Sequence, residues 1–253
     1  MLRRAMSTAF SKAVVIGASS GIGESFAKRL SADGASVALV ARRKDEPDRV
    51  RDGITHRESA HVYAHDVSHF DDVPELFDRI VADLGGLDLL VYAAGVMPKI
   101  DEGEYSFAKD RQMVEVNLLG AMAWMNPAAA RFEAQRRGTI VGISSIAGER
   151  GRRGNPAYCT SKAALTTYLE SLRNRVSRYG VNVVTIKPGF VDTQMTRGMK
   201  GLLWLISADQ AAETTLAVAH DTTGPDVFVP ARWWLVGLII RWIPSFIFRR
   251  LNL

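Results

Sequence analysis

The stretch KAVVIGASSGIGESFAKRLSADGASVALV, residues 12–40, decides the fold of this 253-residue chain. It begins with a short β-branched run, Lys12–Gly17, that ends in glycine. Apolar residues at helical spacing follow from Ile22 to Leu30, and a second apolar run covers Val37–Val40. A strand, a helix and a strand joined by short turns form the unit from which parallel sheets are built.

The remainder of the chain continues this alternation. Apolar residues trace one face of a helix over 73–84, strands are predicted at 87–93, 138–143 and 181–186, and a long helix at 157–179. These strands are apolar throughout, which is typical of strands covered by helices on both faces. We predict an α/β fold, a doubly wound parallel sheet, in a single domain over residues 12–230. Residues 1–11 are predicted to be a flexible basic tail, with an organelle-targeting remnant as the alternative, and residues 231–253 an apolar, basic, helical tail.

Composition excludes several function classes. The formal charge of +5 is spread along the chain without the aromatic-interleaved basic stripe that single-stranded nucleic acid needs, so no nucleic-acid partner is predicted. The single cysteine, Cys159, forms no intrachain disulfide and fits a reducing, cytoplasmic compartment. His61, His65 and His69 recur every fourth residue, but they fall on a predicted strand and loop, and no metal site is predicted.

The glycine-rich turn Gly17-Ala18-Ser19-Ser20-Gly21-Ile22-Gly23 lies between the first strand and the first helix. Backbone N–H groups and the positive end of a helix dipole can receive a pyrophosphate there. Gly17 suits a tight turn, Gly21 a close approach to phosphate, and Gly23 close packing of helix on strand. The turn therefore predicts a dinucleotide site that includes Ser19, Ser20 and Ile22.

The end of the second strand predicts which dinucleotide is bound. Ala41 stands where an NAD-selective fold would place an acidic residue for the ribose 2′-hydroxyl, and Arg42 and Arg43 follow it. A guanidinium gains charge-assisted hydrogen bonds from a 2′-phosphate, so NADP(H) is predicted over NAD(H). Asp66 and Val67, after the third strand, are placed to meet the adenine edge.

A phenol and an ammonium, Tyr158 and Lys162, lie four residues apart and therefore on one face of the predicted helix. Ser145 lies thirteen residues before the tyrosine, at the end of a strand. Together with the glycine turn, Asn117 and the run Pro188-Gly189-Phe190-Val191-Asp192-Thr193, these residues resemble the short-chain dehydrogenase/reductase family from Lys12 to about Pro230.

The resemblance implies a Rossmann fold and an oxidoreductase acting on CH–OH and C=O groups. Tyr158 would exchange a proton with the substrate oxygen, Ser145 would hydrogen-bond that oxygen, and Lys162 would hold the nicotinamide ribose and lower the pKa of the phenol. Asn117 would relay protons to solvent. Further cofactor contacts implied are Gly95, Pro188, Gly189, Val191 and Thr193, the last meeting the nicotinamide amide or a phosphate.

Two positions depart from the family pattern. Ile16 stands where threonine is common, and Tyr92-Ala93-Ala94-Gly95 replaces the usual Asn-Asn-Ala-Gly. Ala93 cannot make the side-chain hydrogen bonds of asparagine. Three functions stay open: a reductase or dehydrogenase for an apolar carbonyl or alcohol, a ketoacyl-carrier reductase that uses the loop of Arg150, Arg152 and Arg153, and a non-catalytic NADP(H) sensor. That loop could equally be exposed, with charges that only solvate it.

The last two segments are rich in apolar residues. Residues 195–206 carry Met, Leu and Trp, which favours a lid over an apolar small-molecule substrate or a cover for the sheet. In residues 233–253, Gly237, Arg241, Ser245 and Arg249 form a narrow polar stripe every fourth residue, opposite a broad apolar face. A second subunit of a homo-dimer or homo-tetramer, the active-site mouth and peripheral membrane contact are the three partners left open for this face.

Overall fold

The computed structural model describes residues 10–43, 45–219 and 226–251. Its strands are β1 (Lys12–Ile16), β2 (Ser36–Ala41), β3 (Ala60–Ala64), β4 (Leu89–Tyr92), β5 (Gly138–Ile143), β6 (Val181–Pro188), β7 (Val191–Asp192), β8 (Ile206–Ser207) and β9 (Asp226–Val229). Seven of them form one parallel sheet in the order β3-β2-β1-β4-β5-β6-β9, and β7 pairs with β8. Strand order reverses between β1 and β4, so a crevice opens at their carboxyl ends.

Helices cover both faces of this sheet. They are α1 (Gly21–Ala32), α2 (Asp45–Asp52), α3 (Val73–Asp83), α4 (Phe107–Val114), α5 (Gly120–Gln135), α6 (Pro156–Val176), α7 (Ala208–Ala219), α8 (Trp233–Trp242) and α9 (Ser245–Phe248), and a π-helical turn, Glu115–Leu119, joins α4 to α5. In β1, Val14 and Ile16 belong to one hydrophobic core, whereas Ala13 and Val15 belong to the other. Strands with two buried faces explain the uninterrupted apolar runs.

The predicted doubly wound parallel sheet is confirmed, and the predicted strands and helices differ from the observed ones by a few residues at their ends. The stretch from α4 through α5 has no counterpart in the prediction. Its longest helix, α5, is rich in alanine and contains Pro127, so its apolar residues do not define a clear face.

Of the two predicted tails, only the N-terminal one needs correction. Residues 1–9 lie outside the described residues, but Phe10 packs against the core, and Ser11 donates from its backbone N–H and its hydroxyl to Asp88, at 2.9 and 2.6 Å. The ordered chain therefore includes residues 10 and 11. The C-terminal tail is helical, but it is two helices, because Pro244 cannot continue α8.

Candidate active site

The glycine turn after β1 is built from backbone conformations that favour glycine. Gly17 has a φ of 86° and Gly21 a φ of 56°. A Cβ at Gly17 would lie 2.6 Å from the backbone nitrogen of Ala94, and one at Gly23 would lie 2.1 Å from the carbonyl oxygen of Gly17. The three glycines therefore let the turn, the start of α1 and the loop after β4 approach one another.

A cleft of about 550 Å³ runs along the carboxyl ends of the strands. Most of the predicted cofactor residues line it: Gly17, Ser19, Ser20, Gly21, Ile22, Arg42, Arg43, Val67, Gly95, Tyr158, Lys162, Pro188, Gly189, Val191 and Thr193. Four predicted site residues, Gly23, Asp66, Asn117 and Ser145, are not part of its lining. Two of these four support the lining from behind: Gly23 packs against Gly17, and Asn117 is hydrogen-bonded to Val96.

The two arginines after β2 have different surroundings. Arg43 is ion-paired with Glu46 at the start of α2. Arg42 is exposed, and its charge reaches Asp66. Burial alone would raise the pKa of Asp66, but hydrogen bonds from Ser68 and the charge of Arg42 outweigh it and lower the pKa. Arg42 is therefore the arginine better placed to receive an anion.

Arg49 is a functional candidate that the sequence analysis missed. Its guanidinium donates to the carbonyl oxygen of Ser19 in the glycine turn, at 3.1 Å, and to Glu24 of α1, at 2.9 Å. It ties α2 to the turn and so fixes one side of the phosphate cradle. No motif pointed to it, because the contact spans thirty residues and depends on how α2 packs.

Helix α6 presents the phenol and the ammonium to the cleft. Asn155 caps its first turn by accepting from the backbone N–H of Tyr158 at 3.1 Å. The Lys162 ammonium donates to the carbonyl oxygen of Ile143, at the end of β5, at 2.8 Å and lies 5.9 Å from the centre of the Tyr158 ring. Burial lowers the pKa of Lys162 to about 8, since no carboxylate among the described residues pairs with it.

The surroundings of Tyr158 keep its hydroxyl protonated at neutral pH. Burial raises the pKa of this phenol, and a side-chain hydrogen bond with Ser145 and the charge of Arg152 act in the opposite direction without cancelling it. Lys162 is not among the described groups that shift it, whereas the sequence analysis expects its positive charge to lower this pKa. A protonated phenol is the form that can donate to a carbonyl oxygen.

The two adjacent serines at the end of β5 have separate roles. The Ser144 hydroxyl is bound to the carbonyl oxygen of Lys162 at 2.9 Å and to the Thr166 hydroxyl at 2.8 Å, so it fastens α6 to β5. Ser145 accepts from the backbone N–H of Ala147 at 3.1 Å and reaches the Tyr158 hydroxyl. This arrangement favours Ser145 as the serine beside the reacting oxygen.

Asn117 lies in the π-helical turn and is fully buried. Its amide accepts from the backbone N–H of Val96 at 2.7 Å and donates to the Val96 carbonyl at 3.0 Å and to Ser161 at 3.1 Å. It thereby holds the loop after β4 against α6. Such a π-turn is frequent at functional sites because the extra residue redirects a side chain.

Tyr92 belongs to the Tyr-Ala-Ala-Gly segment that departs from the family pattern, and it also supports this turn. Its buried hydroxyl donates to the carbonyl oxygen of Val116 at 2.6 Å. A Cβ at Gly120 would lie 2.5 Å from the same hydroxyl, so Gly120 leaves room for the tyrosine. Tyr92 therefore braces the π-helical turn that carries Asn117. Ala93 has no polar side chain, so the hydrogen bonds of an asparagine at that position are not made by residue 93.

The substrate side of the cleft is formed by β7, the segment that follows it and the tail. Thr193 lies beside Gly21, and Met195 lines the cleft. The rest of the predicted lid, residues 196–205, leaves large apolar side chains in solvent and does not cover the sheet. Trp233, which opens α8, is buried so closely on Gly189 that a Cβ there would lie 1.9 Å from the indole nitrogen.

In the loop that carries Arg150, Arg152 and Arg153, Arg150 makes specific contacts with the C-terminal tail. Arg150 donates to the carbonyl oxygens of Ile240, at 2.9 Å, and Ile243, and to the Ser245 hydroxyl at 3.1 Å. Its guanidinium also lies 4.1 Å from the centre of the Phe248 ring. The interpretation that all three charges only solvate a loop is therefore wrong for Arg150, which anchors the tail.

Comparisons with known proteins agree with this architecture. The family model described as short chain dehydrogenase matches residues 11–201. An uncharacterized oxidoreductase of Myxococcus xanthus is 36% identical over 189 residues, covering 73% of each chain, and one of Staphylococcus epidermidis is 32% identical over 186 residues, 74% of this chain and 80% of that one.

Two solved structures show the same fold at 21% identity. ElxO with NADP bound has a TM-score of 0.78 and covers 87% of this chain and 96% of its own, and gox2181 has a TM-score of 0.80 over 88% and 96%. The family match extends over the glycine turn, Ser145, Tyr158 and Lys162. The chain therefore belongs to the short-chain dehydrogenase family and is an oxidoreductase.

Proposed function

We propose that this chain is an NADP(H)-dependent oxidoreductase that transfers hydride between the nicotinamide and the carbon of an apolar ketone, aldehyde or secondary alcohol. One observation carries the proposal: the glycine turn and the pair Tyr158 and Lys162 line the same cleft. A phosphate cradle and a polarised phenol within one cleft serve a cofactor and a reacting oxygen together.

The residues present fit NADP(H). Gly17, Ser20 and Gly21 line the cleft at the start of α1, so the backbone N–H groups of the turn are placed to meet a pyrophosphate. Arg42 is the candidate for the 2′-phosphate, and the bound NADP of ElxO, a protein of the same fold, supports that choice of cofactor. The remaining contacts proposed are Arg43, Asp66 and Val67 at the adenosine end, and Gly95, Pro188, Gly189, Val191 and Thr193 toward the nicotinamide.

The chain supplies the proton and positions the substrate, whereas bound NADP(H) supplies or accepts the hydride. In reduction, Tyr158 donates its proton to the carbonyl oxygen, and burial favours this protonated form. Ser145 donates a hydrogen bond to the same oxygen, where negative charge develops. Lys162 holds the nicotinamide ribose, and Asn117 connects it to solvent through water.

Two alternative functions have less support. A ketoacyl-carrier reductase would use the arginine loop to bind an acidic carrier, but Arg150 is engaged with the tail. A non-catalytic NADP(H) sensor has no need for a phenol whose hydroxyl is hydrogen-bonded to a serine in a buried pocket. The Met195 side chain in the cleft and the apolar lid beyond it favour an apolar substrate over a charged one.

We also propose a homo-dimer or homo-tetramer in the cytoplasm. The buried free thiol of Cys159 fits a reducing compartment. Tyr105 and Phe107, at the start of α4, are 99% and 78% exposed, and apolar side chains this exposed are candidates for a subunit contact. Sedimentation of the purified chain would give the subunit number.

The activity is tested by NADPH oxidation against a panel of lipid-like ketones, aldehydes and carrier-linked ketoacyl groups. Tyr158→Phe should lower kcat by about 10²–10⁴-fold, because the proton donor is lost, and should leave the Kd for NADPH within a few-fold. Tyr168→Phe is the matched control: Tyr168 lies on the same helix but donates to Asn126, at 2.7 Å, away from the cleft. Equal activity of the two variants would contradict the proposal.

Cofactor choice is tested separately through Arg42. Arg42→Ala should lower the ratio of kcat/KM for NADPH over NADH by about tenfold or more, because only NADPH carries the 2′-phosphate. Arg29→Ala, which removes an exposed arginine paired with Asp33 at the end of α1, serves as the control. If Arg42→Ala lowers kcat/KM equally for both cofactors, Arg42 does not recognise the phosphate.

A further inference from the structure

The C-terminal tail binds the body of the protein through its polar stripe. In α8 only Trp233 and Gly237 are buried. A Cβ at Gly237 would lie 3.0 Å from the Phe228 ring and 3.1 Å from an Ile146 methyl, so the helix backbone approaches the body closely there. One turn later, Arg241 donates to Glu149 at 2.7 Å, and Arg150 binds the tail carbonyls and Ser245.

The opposite face of the tail is apolar and in solvent. Two tryptophans illustrate it: Trp234 is 58% exposed and Trp242 is 75% exposed. The other exposed apolar side chains of this face are Leu235, Leu238, Ile239, Phe246, Ile247 and Leu251. A contiguous apolar surface of this kind on a folded protein marks a binding face.

This face continues into the lid. The Trp204 ring packs edge-on against Trp233, with 5.3 Å between ring centres, and the Arg232 guanidinium lies 4.8 Å from the Trp204 ring centre. Leu203 and Leu205, on either side of Trp204, are 62% and 46% exposed. The tail and the lid therefore present one apolar surface beside the substrate side of the cleft.

The charge around this surface has a single sign. Residues 227–253 contain four arginines, Arg232, Arg241, Arg249 and Arg250, and no aspartate or glutamate. Next to α9, a pocket is lined by Arg150, Arg153 and Arg249 together with Ser245, Phe248 and Leu251, and no carboxylate side chain of the described residues lines it. An apolar face bordered by guanidinium groups is complementary to an anionic, phosphate-bearing apolar surface.

We propose that the tail face docks on an anionic phospholipid bilayer, with the exposed tryptophans and aliphatic side chains below the headgroups and Arg249 and Arg250 on the phosphates. No helix within the described residues is long and apolar enough to cross a membrane. A second copy fits less well, because a two-fold axis through this face would bring the same arginines together without carboxylates of the tail to pair with them.

Docking in this way would turn the lid and the substrate side of the cleft toward the lipid, from which an apolar substrate could enter. This last consequence rests on the proposed function. The docking itself does not rest on the proposed function, because it depends only on the tail face. Vesicle binding measures the docking without any turnover.

The test is co-sedimentation of the full chain with vesicles of phosphatidylcholine, alone or with about 30 mol% phosphatidylserine. The parent should pellet with the anionic vesicles and less with the neutral ones. The double variant Trp234→Glu with Trp242→Glu should lose about tenfold or more in vesicle affinity, and Arg249→Glu with Arg250→Glu should lose the preference for anionic lipid. Arg137→Glu with Arg178→Glu is the control, because it makes the same charge reversal as the arginine variant at two exposed arginines outside the tail.

Two further measurements distinguish membrane docking from unfolding of a variant and from contact with a second subunit. Tryptophan quenching by brominated lipid detects docking in the parent itself, and it should be strong with anionic vesicles. Light scattering gives the mass of each variant. A parent that neither pellets with anionic vesicles nor is quenched overturns the proposal. Equal pelleting of the parent and the double tryptophan variant also overturns it. If the parent has no vesicle affinity and the double tryptophan variant has a lower mass than the parent, the face is assigned to a second copy.

Discussion

Helices α6 and α8 are both amphipathic, but they bury opposite faces. In α6 the apolar side chains of Leu165, Leu169, Leu172 and Val176 point into the core. In α8 the large apolar side chains after Trp233 are mostly exposed, whereas Trp233 itself is buried and the glycine and the arginine of the polar stripe face the protein. An amphipathic pattern therefore identifies the two faces of a helix without saying which of them is inside.

The surface that receives each helix explains the difference. The leucines of α6 pack with Val181 and Val183 of β6, and Leu169 also contacts Gly142 of β5. α8 meets Glu149, a carboxylate that is only 4% exposed and is ion-paired with the buried Lys187 at 2.6 Å, and Lys187 also pairs with Asp226. A buried charged cluster needs further partners, because an unpaired buried charge is costly, and Arg241 is one of them.

The sharpest way to break the comparison is to truncate one leucine in each helix. Leu169→Ala should lower the free energy of unfolding by about 2–5 kcal/mol, because Leu169 is fully buried against Gly142 and leaves a cavity. Leu238→Ala should change it by less than about 0.5 kcal/mol, because the side chain is 41% exposed. Urea unfolding of the two variants measures both values. Similar losses would mean that the outer face of α8 is covered within the monomer.

A second prediction concerns the buried ammonium of α6. With the pKa of Lys162 at about 8 in the folded chain and about 10.5 in the unfolded one, the folded chain binds protons less well. The resulting destabilisation is complete below about pH 8 and fades as pH rises from there through 10.5. Lys162→Met should therefore raise the free energy of unfolding at pH 7 by about 1–2 kcal/mol, after allowing for the lost bond to Ile143, while turnover is lost.

The matched control is Lys187→Met, which also removes a buried ammonium, but one that is paired with two carboxylates. This variant should be less stable than the parent, because it leaves the buried Glu149 without its buried partner and dependent on the exposed Arg241. Unfolding of the cofactor-free variants at pH 7 and pH 9.5 measures both effects. A stabilisation by Lys162→Met that does not shrink at the higher pH would show that its cause is not the buried charge.

The sequence predicted helix α6 far better than the tail. A spacing of four residues puts Tyr158 and Lys162 on one face of any α-helix, and a parallel sheet brings strand ends and glycine turns to one edge. The long helix and the cleft-lining turn could therefore be predicted without knowledge of tertiary contacts. Asn117 was found only through the resemblance, since nothing in its neighbourhood indicates a π-turn.

Contacts between distant segments could not be predicted. Arg49 on Ser19 and Trp233 on Gly189 depend on how separate elements pack, and neither carries a local pattern. The orientation of the tail depends on Glu149, whose burial follows from its pairing with Lys187. The hydrophobic periodicity of the tail therefore cannot show that another segment buries a carboxylate next to it.

The smallest effect on stability is expected from the ion pair between Arg241 of the tail and the buried Glu149. Arg241→Met should lower the free energy of unfolding by less than about 1 kcal/mol, because its side chain is 58% exposed and water screens the pair, and because methionine keeps part of the packing of the arginine stem. The difference from the parent should shrink further at about 1 M salt. Glu149→Gln should cost more, about 1–3 kcal/mol, since it deprives the buried Lys187 of one carboxylate. Urea unfolding at low and high salt separates the two variants. A loss above about 2 kcal/mol for Arg241→Met would mean that this single pair, rather than the Arg150 contacts and the Trp233 packing, holds the tail with its apolar face outward.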